Sequence, residues 1–198
     1  MTHELILASS SRYRRELLDR LGYPYTCANP DVDETGLAGE TPAEAAARLA
    51  ELKARTVWEK HPGAVVIGSD QVADLNGVRL GKPHNRERAI EQLLSMQGNT
   101  VIFTTALTVI DAQGHAETVK SVTTVKMRKL SRETIEAYVD REQPYDCAGS
   151  AKIERLGIAL MESVTSDDPT SLIGLPLMVL TSMLARAGVE VLPGLSAN

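Results

Sequence analysis

The chain has 198 residues, 43% of them hydrophobic and 24% charged, with a formal net charge of −5 at pH 7. That balance describes an ordinary folded protein with a sizeable core and excludes a disordered or low-complexity chain. The acidic surplus also argues against a general nucleic-acid binder, whose phosphate-neutralising surface is usually basic, although it permits a small anion held in a local basic pocket.

Strands and helices alternate along the sequence. The stretch ELILAS reads as a short buried strand, and Arg12–Leu21 follows as a helix with Leu17, Leu18 and Leu21 at helical spacing, stopped by Gly22. YTCAN is a candidate second strand. The clearest helix lies in ETPAEAAARLAELKARTVWEKHPG, where Thr41 serves as N-cap, Pro42 takes the first position, Glu44 completes a capping box and Pro62-Gly63 ends the run. AVVIGSD is a continuous β-branched strand, and QVADLNGVRL reads as a hairpin about Asn76-Gly77. Residues 85–96 form another amphipathic helix. Two long strands joined at Gln113-Gly114 occupy 101–127, Ser131 caps a helix reaching Arg141, GIALMESV is a strand, and a last helix covers Leu175–Ala187 before Gly188. No repeat or linker interrupts the chain, so it reads as a single domain over 1–198: α/β, with a mixed, partly antiparallel sheet flanked by helices.

Chemistry-bearing residues cluster in a few segments. LILASSSRYRRELL lacks both standard glycine-rich phosphate fingerprints, yet it places Ser9, Ser10 and Ser11 at a helix start, where free N–H groups and a partial positive charge favour an anion. Arg12, Arg14 and Arg15 add guanidinium forks suited to phosphate oxygens, the alternative being a serine-capped helix with solvated arginines. In PDVDET the carboxylates of Asp31, Asp33 and Glu34 crowd one turn, a grouping that suits an oxygen-loving cation or merely a solvated loop. Asp70 is expected at the carboxyl end of a buried strand, a usual place for ligands and catalytic groups, with Gly68 and Ser69 allowing close approach, the alternative being a turn-capping Asp at the hairpin entrance. Lys53 and Lys82 are single lysines, the second pinned between Gly81 and Pro83. The histidines at 3, 61, 84 and 115 show no paired spacing and read as surface residues. Cys27 and Cys147 form neither a disulfide framework nor a metal spacing. No apolar run approaches the roughly 18 residues of a membrane span, and that of MTHELILASS is too short for a signal peptide. A cytoplasmic protein with no membrane partner is expected.

In this order, LILASSSRYRRELL, VDE at 32–34, Lys53 in its helix, IGSDQV, GKP, CAGSAKIERLGI and GLPL resemble the Maf-like family of nucleotide pyrophosphatases. One departure is Arg12, where the family usually has proline. The resemblance implies two lobes around a deep cleft, as in inosine-triphosphatase-like folds, and often a homodimer. It implies hydrolysis of a nucleoside triphosphate between the α and β phosphates, with a divalent cation, Mg²⁺ or Mn²⁺, as cofactor. Carried over by position, Asp70 would accept the proton of water, possible metal ligation would fall to Glu34 and Asp70, Lys53, Lys82 and Arg14 would neutralise the triphosphate, and Ser9 and Ser11 would donate to it. Three positions that distinguish family branches are here Tyr13, Gln71 and Glu154. The dTTP/UTP branch typically carries Arg, Thr and Gln there, whereas an aromatic with Gln and Glu looks like the branch that hydrolyses 7-methyl-GTP. The rival readings are a pyrophosphatase for dTTP, UTP or other noncanonical nucleotides, and a non-catalytic nucleotide-binding regulator of cell division.

Overall fold

The computed structural model describes residues 3–195. A seven-stranded sheet forms its centre, with strands β1 (Leu5–Ala8), β2 (Thr26–Ala28), β3 (Val65–Leu75), β4 (Val78–Leu80), β5 (Thr100–Ile110), β6 (Ala116–Met127) and β7 (Met161–Ser166). The main order is β2-β1-β3-β5-β6-β7, with β4 paired to β3 off that path. β1 is parallel to β2 and β3, while β5, β6 and β7 follow antiparallel, so the sheet is mixed as expected. The helices are α1 (Arg12–Asp19), α2 (Pro42–Trp58), α3 (Arg86–Met96), α4 (Arg132–Glu142) and α5 (Leu177–Arg186). Among the described residues no helix is long and apolar enough to cross a membrane.

Local chemistry accounts for most boundaries. In α2 the Thr41 N–H donates to Glu44 Oε2 at 2.8 Å and the Glu44 N–H donates back to Thr41 Oγ1 at 3.3 Å, the reciprocal box read from the sequence. Ser131 caps α4, and Asn76 and Gly77 both take positive φ at the β3–β4 turn. Three boundaries shift. α1 ends at Asp19 instead of Leu21; residues 157–160 form a 3-10 turn, so β7 begins at Met161; and α5 starts at Leu177, after Pro176.

The largest correction concerns Asp70, which lies in the middle of β3 and not at its carboxyl end. On one edge β3 pairs with β5 from Val66 to Asp74. On the other edge β1 pairs with Val65–Gly68 and β4 with Ala73–Leu75, which leaves residues 69–72 without a strand neighbour on that side. The strand therefore runs on across a gap in the sheet edge, and Asp70 stands in the gap.

Packing on either side fixes what faces the gap. Successive side chains of a strand point to opposite faces. Val66 and Val72 join the clusters built with α2, while Val65 and Ile67 join the cluster of Leu17, Leu18 and α5. A fourth cluster gathers Ala73, Phe103 and Val125 with α3 and α4. Each fully buried aliphatic side chain in these clusters contributes about 1.5–3 kcal/mol relative to exposure. Gly68 serves the helix packing: a Cβ there would lie 2.3 Å from the Ala50 carbonyl oxygen and 2.8 Å from Ala54. Its close approach is thus to α2, not to a ligand.

Candidate active site

A cleft of about 720 Å³ opens beside the gap, lined by the β1–α1 turn, the 29–34 segment, Lys53, Asp70, the β4 end and the loop after α4. At its floor the tight α2–β3 contact brings Lys53 Nζ to 2.7 Å from Asp70 Oδ1, and the same ammonium reaches Glu34 Oε1 at 2.6 Å. Lys53 and Asp70 are each 5% exposed, whereas Glu34 comes from the exposed turn. Partial burial works against ionisation of Glu34, but the Lys53 ammonium, helped by Lys82 and Arg14, more than offsets it and holds the carboxyl below its usual range. Asp70 Oδ2 is buried and has no hydrogen-bond partner. Buried polar atoms are normally satisfied, so an orphan oxygen at the floor of a cleft marks an acceptor kept for something else.

The β1–α1 turn supplies the opposite charge. Ser9 Oγ accepts from the Ser11 N–H at 3.1 Å and from Arg14 Nη1 at 3.4 Å. Ser11 Oγ caps α1 by accepting from the Arg14 N–H at 3.5 Å. Both hydroxyls spend acceptor capacity inside the turn, which leaves their O–H groups free to donate to an anion. Arg14 Nε donates to the Gly174 carbonyl at 2.9 Å; burial pushes its pKa down, partly countered by Asp70 and Glu34. Lys82 and Arg79 line the same cleft.

The other face of β3 engages the 3-10 turn at Ser171–Ile173. Ser69 Oγ donates to the Gly174 carbonyl at 3.0 Å, so that oxygen serves both Ser69 and Arg14. Gln71 Nε2 donates to Thr105 Oγ1 and to the carbonyls of Ser171 and Leu172, which ties its amide nitrogen to the scaffold and leaves its oxygen for a ligand. Gly174 has φ +126°, open only to glycine without strain.

Tyr13 lines the cleft at the start of α1. Its hydroxyl donates to Asp146, with 3.1 and 3.2 Å to the two oxygens, and accepts from Arg12 Nη2 at 2.9 Å. The Arg12 guanidinium lies 4.8 Å from the ring centroid and Lys152 Nζ 5.9 Å, so the ring already attracts cations. Glu154 does not line this cleft. It borders an adjoining depression of about 340 Å³ with Tyr13, Arg12, Glu16, Arg20 and Arg155, and burial pushes its carboxyl pKa up.

Ser9, Ser11, Tyr13, Arg14, Glu34, Lys53, Asp70, Gln71 and Lys82 thus line one cleft, and Glu154 stands apart behind Tyr13. The PDVDET turn does not gather its carboxylates: Asp33 Oδ1 accepts from the Thr35 N–H and hydroxyl, while Glu34 turns to Lys53. Among the described residues no group of three His, Cys, Asp or Glu side chains comes together. The donor set still fits a Mg²⁺-like ion, which typically takes one or two carboxylates and leaves the rest to substrate phosphates. Sequence reasoning missed Arg79, Asp146 and Lys152. Arg79 is legible only as the returning arm of the hairpin, whereas Lys152, a lysine set among small and apolar residues, is a weak signal of a buried cation.

With this geometry in place, comparison with known proteins is informative. The family model described as "Maf-like protein" matches residues 4–187. A protein of Bordetella pertussis named 7-methyl-GTP pyrophosphatase is 56% identical over 96% of this chain and 96% of its own. One of the same name from Thiobacillus denitrificans is 56% identical over 95% and 94%. Among solved structures, a Ham1 protein of Staphylococcus aureus covers 63% of this chain and 71% of its own, with a TM-score of 0.45 and 21% identity. The chain belongs to the Maf-like protein family.

Proposed function

We propose that the protein hydrolyses 7-methyl-GTP to 7-methyl-GMP and diphosphate, clearing a modified nucleotide. The observation that carries the hydrolytic reading is Asp70: one carboxylate oxygen is fixed by Lys53 and the other is free at the floor of a cleft walled by cations and serine hydroxyls. In this reading the triphosphate lies against Ser9, Ser11, Arg14 and Lys82, which neutralise and orient it, because phosphoryl transfer depends mainly on positioning and charge stabilisation. Asp70 Oδ2 accepts a proton from water as the water oxygen bonds to the α phosphorus and the bond from that phosphorus to the bridging oxygen breaks, releasing diphosphate. Glu34 and Asp70 would hold the divalent cation, Mg²⁺ or Mn²⁺, which would supply further neutralisation of the phosphate charge.

The substrate base is read from the relatives' names and from Tyr13. N7-methylation makes the guanine ring cationic, and an aromatic face attracts a cation. Glu154 would accept from the guanine N1–H and N2–H only if the base reaches past Tyr13 into the adjoining depression. The test compares 7-methyl-GTP, GTP, dTTP and UTP with Mg²⁺, resolving nucleotide and diphosphate products, with Asp70→Asn as control. Preference for 7-methyl-GTP, and a kcat about 10²–10⁴ lower in the variant, is expected. Preference for dTTP or UTP would overturn the base assignment and keep the reaction class; no turnover of any would overturn both.

A further inference from the structure

Asp146 gives the cleft a carboxylate beside Tyr13 that takes no part in the proposed hydrolysis. It follows α4 on a loop that turns back through Gln143, whose φ is +46°, and its side chain is 52% exposed in the cleft wall. Its direction is set from behind. Lys152, 5% exposed, places Nζ 3.2 Å from Asp146 Oδ1 and also donates to the carbonyls of Glu142 at 3.4 Å and Gln143 at 3.3 Å. The lysine thus ties the start of the loop to the carboxylate, and the carboxylate holds the Tyr13 hydroxyl.

Arg12 and Lys152 both lie over the ring, the first closer than the second. Glu16, Glu154, Arg20 and Arg155 line the depression behind. Of the carboxylates that line the cleft, Glu34 and Asp70 share Lys53, Asp31 belongs to the 29–34 turn, and Asp146 is the one bonded to Tyr13. A cationic base stacked on Tyr13 from the cleft would therefore meet two positive groups and one negative one.

We infer that Asp146 is a specificity-determining residue, whose negative charge selects a cationic N7-alkylated purine nucleotide over its neutral parent. The inference rests on the proposed 7-methyl-GTP reading. Guanine and 7-methylguanine differ by one methyl group and one unit of charge. A methyl group by itself supports only modest discrimination, about 10–200-fold in a well-fitted apolar pocket, and this cleft wall is half polar loop. The charge is a second handle, and a carboxylate held from behind by a buried ammonium reads it without having to be ordered on binding.

The experiment separates charge from shape. Asp146→Asn keeps an oxygen that can accept from Tyr13 and removes the charge. Binding of 7-methyl-GMP and GMP is measured by calorimetry, and kcat/KM for 7-methyl-GTP and GTP by diphosphate release, on wild type and variant with matched melting curves. Selectivity for the methylated nucleotide should fall about tenfold in the variant, the scale of one partly screened charge a few ångströms away. The fall should appear in KM and in the monophosphate affinity ratio. Asp146→Glu, which keeps the charge, should retain the wild-type ratio, a readout that a merely structural loss would not give. Wild-type selectivity that persists unchanged in Asp146→Asn, or falls equally in Asp146→Glu, would overturn the role of Asp146 and leave the 7-methyl-GTP reading standing. Wild-type indifference to methylation in both assays would remove both.

Discussion

The two ends of the cleft are built differently. At the proposed phosphate end three charged groups sit on regular elements, Lys53 on α2, Asp70 on β3 and Arg14 on α1, with Lys53 and Asp70 almost wholly buried, while Glu34 and Lys82 join them from loops. At the proposed base end Arg12 and Tyr13 open α1, whereas Asp146 and Lys152 come from irregular chain between α4 and β7. Hydrolysis demands reacting groups held to fractions of an ångström, which ladders and helix packing supply. Recognition of one base among several can be rewritten by changing a loop without disturbing the sheet. The division predicts that damage at the first end destroys turnover and damage at the second redirects it.

Three substitutions test that contrast. The largest effect is expected for Lys53→Met, which keeps the aliphatic stem but strands Asp70 beside a half-exposed Glu34. Turnover should drop at least about a hundredfold, as for loss of one preorganised donor. Denaturant melts should show a loss of about 3 kcal/mol, because removing one partner leaves a buried charge uncompensated. Gly68→Ala forces a methyl against the Ala50 carbonyl and should cost about 1–3 kcal/mol by the same melts. It should also lower kcat more than it raises KM, since it parts α2 from β3 and so Lys53 from Asp70. At the base end Tyr13→Ala should leave kcat nearly intact and raise KM for 7-methyl-GTP about fivefold. An unchanged KM would remove Tyr13 from the base site.

The smallest effect concerns neither end. Arg48 Nη2 lies 2.8 Å from Glu40 Oε2, and the hydrogen bond from Arg48, with that from the Leu37 N–H, lowers the Glu40 pKa to about 2. A carboxyl whose folded pKa is depressed stabilises the fold above its ordinary range and loses that contribution as the pH falls toward the folded value. Glu40→Gln should therefore melt slightly below wild type at pH 6, and the gap should close on titration from pH 4.5 toward pH 2.

How far the sequence revealed this depends on the range of the signal. The capping box at Thr41 and Glu44, the Asn76-Gly77 turn and the long β5–β6 pair are local patterns, and each appears where the pattern placed it. The motifs that resemble the Maf-like family led to nine residues lining one cleft. Asp70 was misplaced along its strand because Gly-Ser-Asp-Gln reads locally as a turn, while the nine paired positions with β5 that carry β3 onward are a long-range fact. Residues 157–160 look like strand by apolarity but coil into a 3-10 turn, whose Gly157 packs against the backbone of Lys152. Asp146 and Lys152 have no periodicity to betray them, and their meaning comes from Tyr13, more than a hundred positions away.

The ladder between β3 and β5 makes chain alignment a matter of chemistry as well as stability. Asp70 pairs with Ala106, and both neighbours, Ser69 and Gln71, point to the opposite face toward residues 171–174. A slip of one position would present a serine or a glutamine to Lys53 and turn the carboxylate toward the Gly174 carbonyl. Such a chain could retain much of its hydrogen bonding and still be inert. Anchoring β3 on both sides of the gap, by β1 before it and β4 after it, is therefore a proofreading device: it leaves one edge of residues 69–72 open to the cleft while denying the strand any freedom to slide.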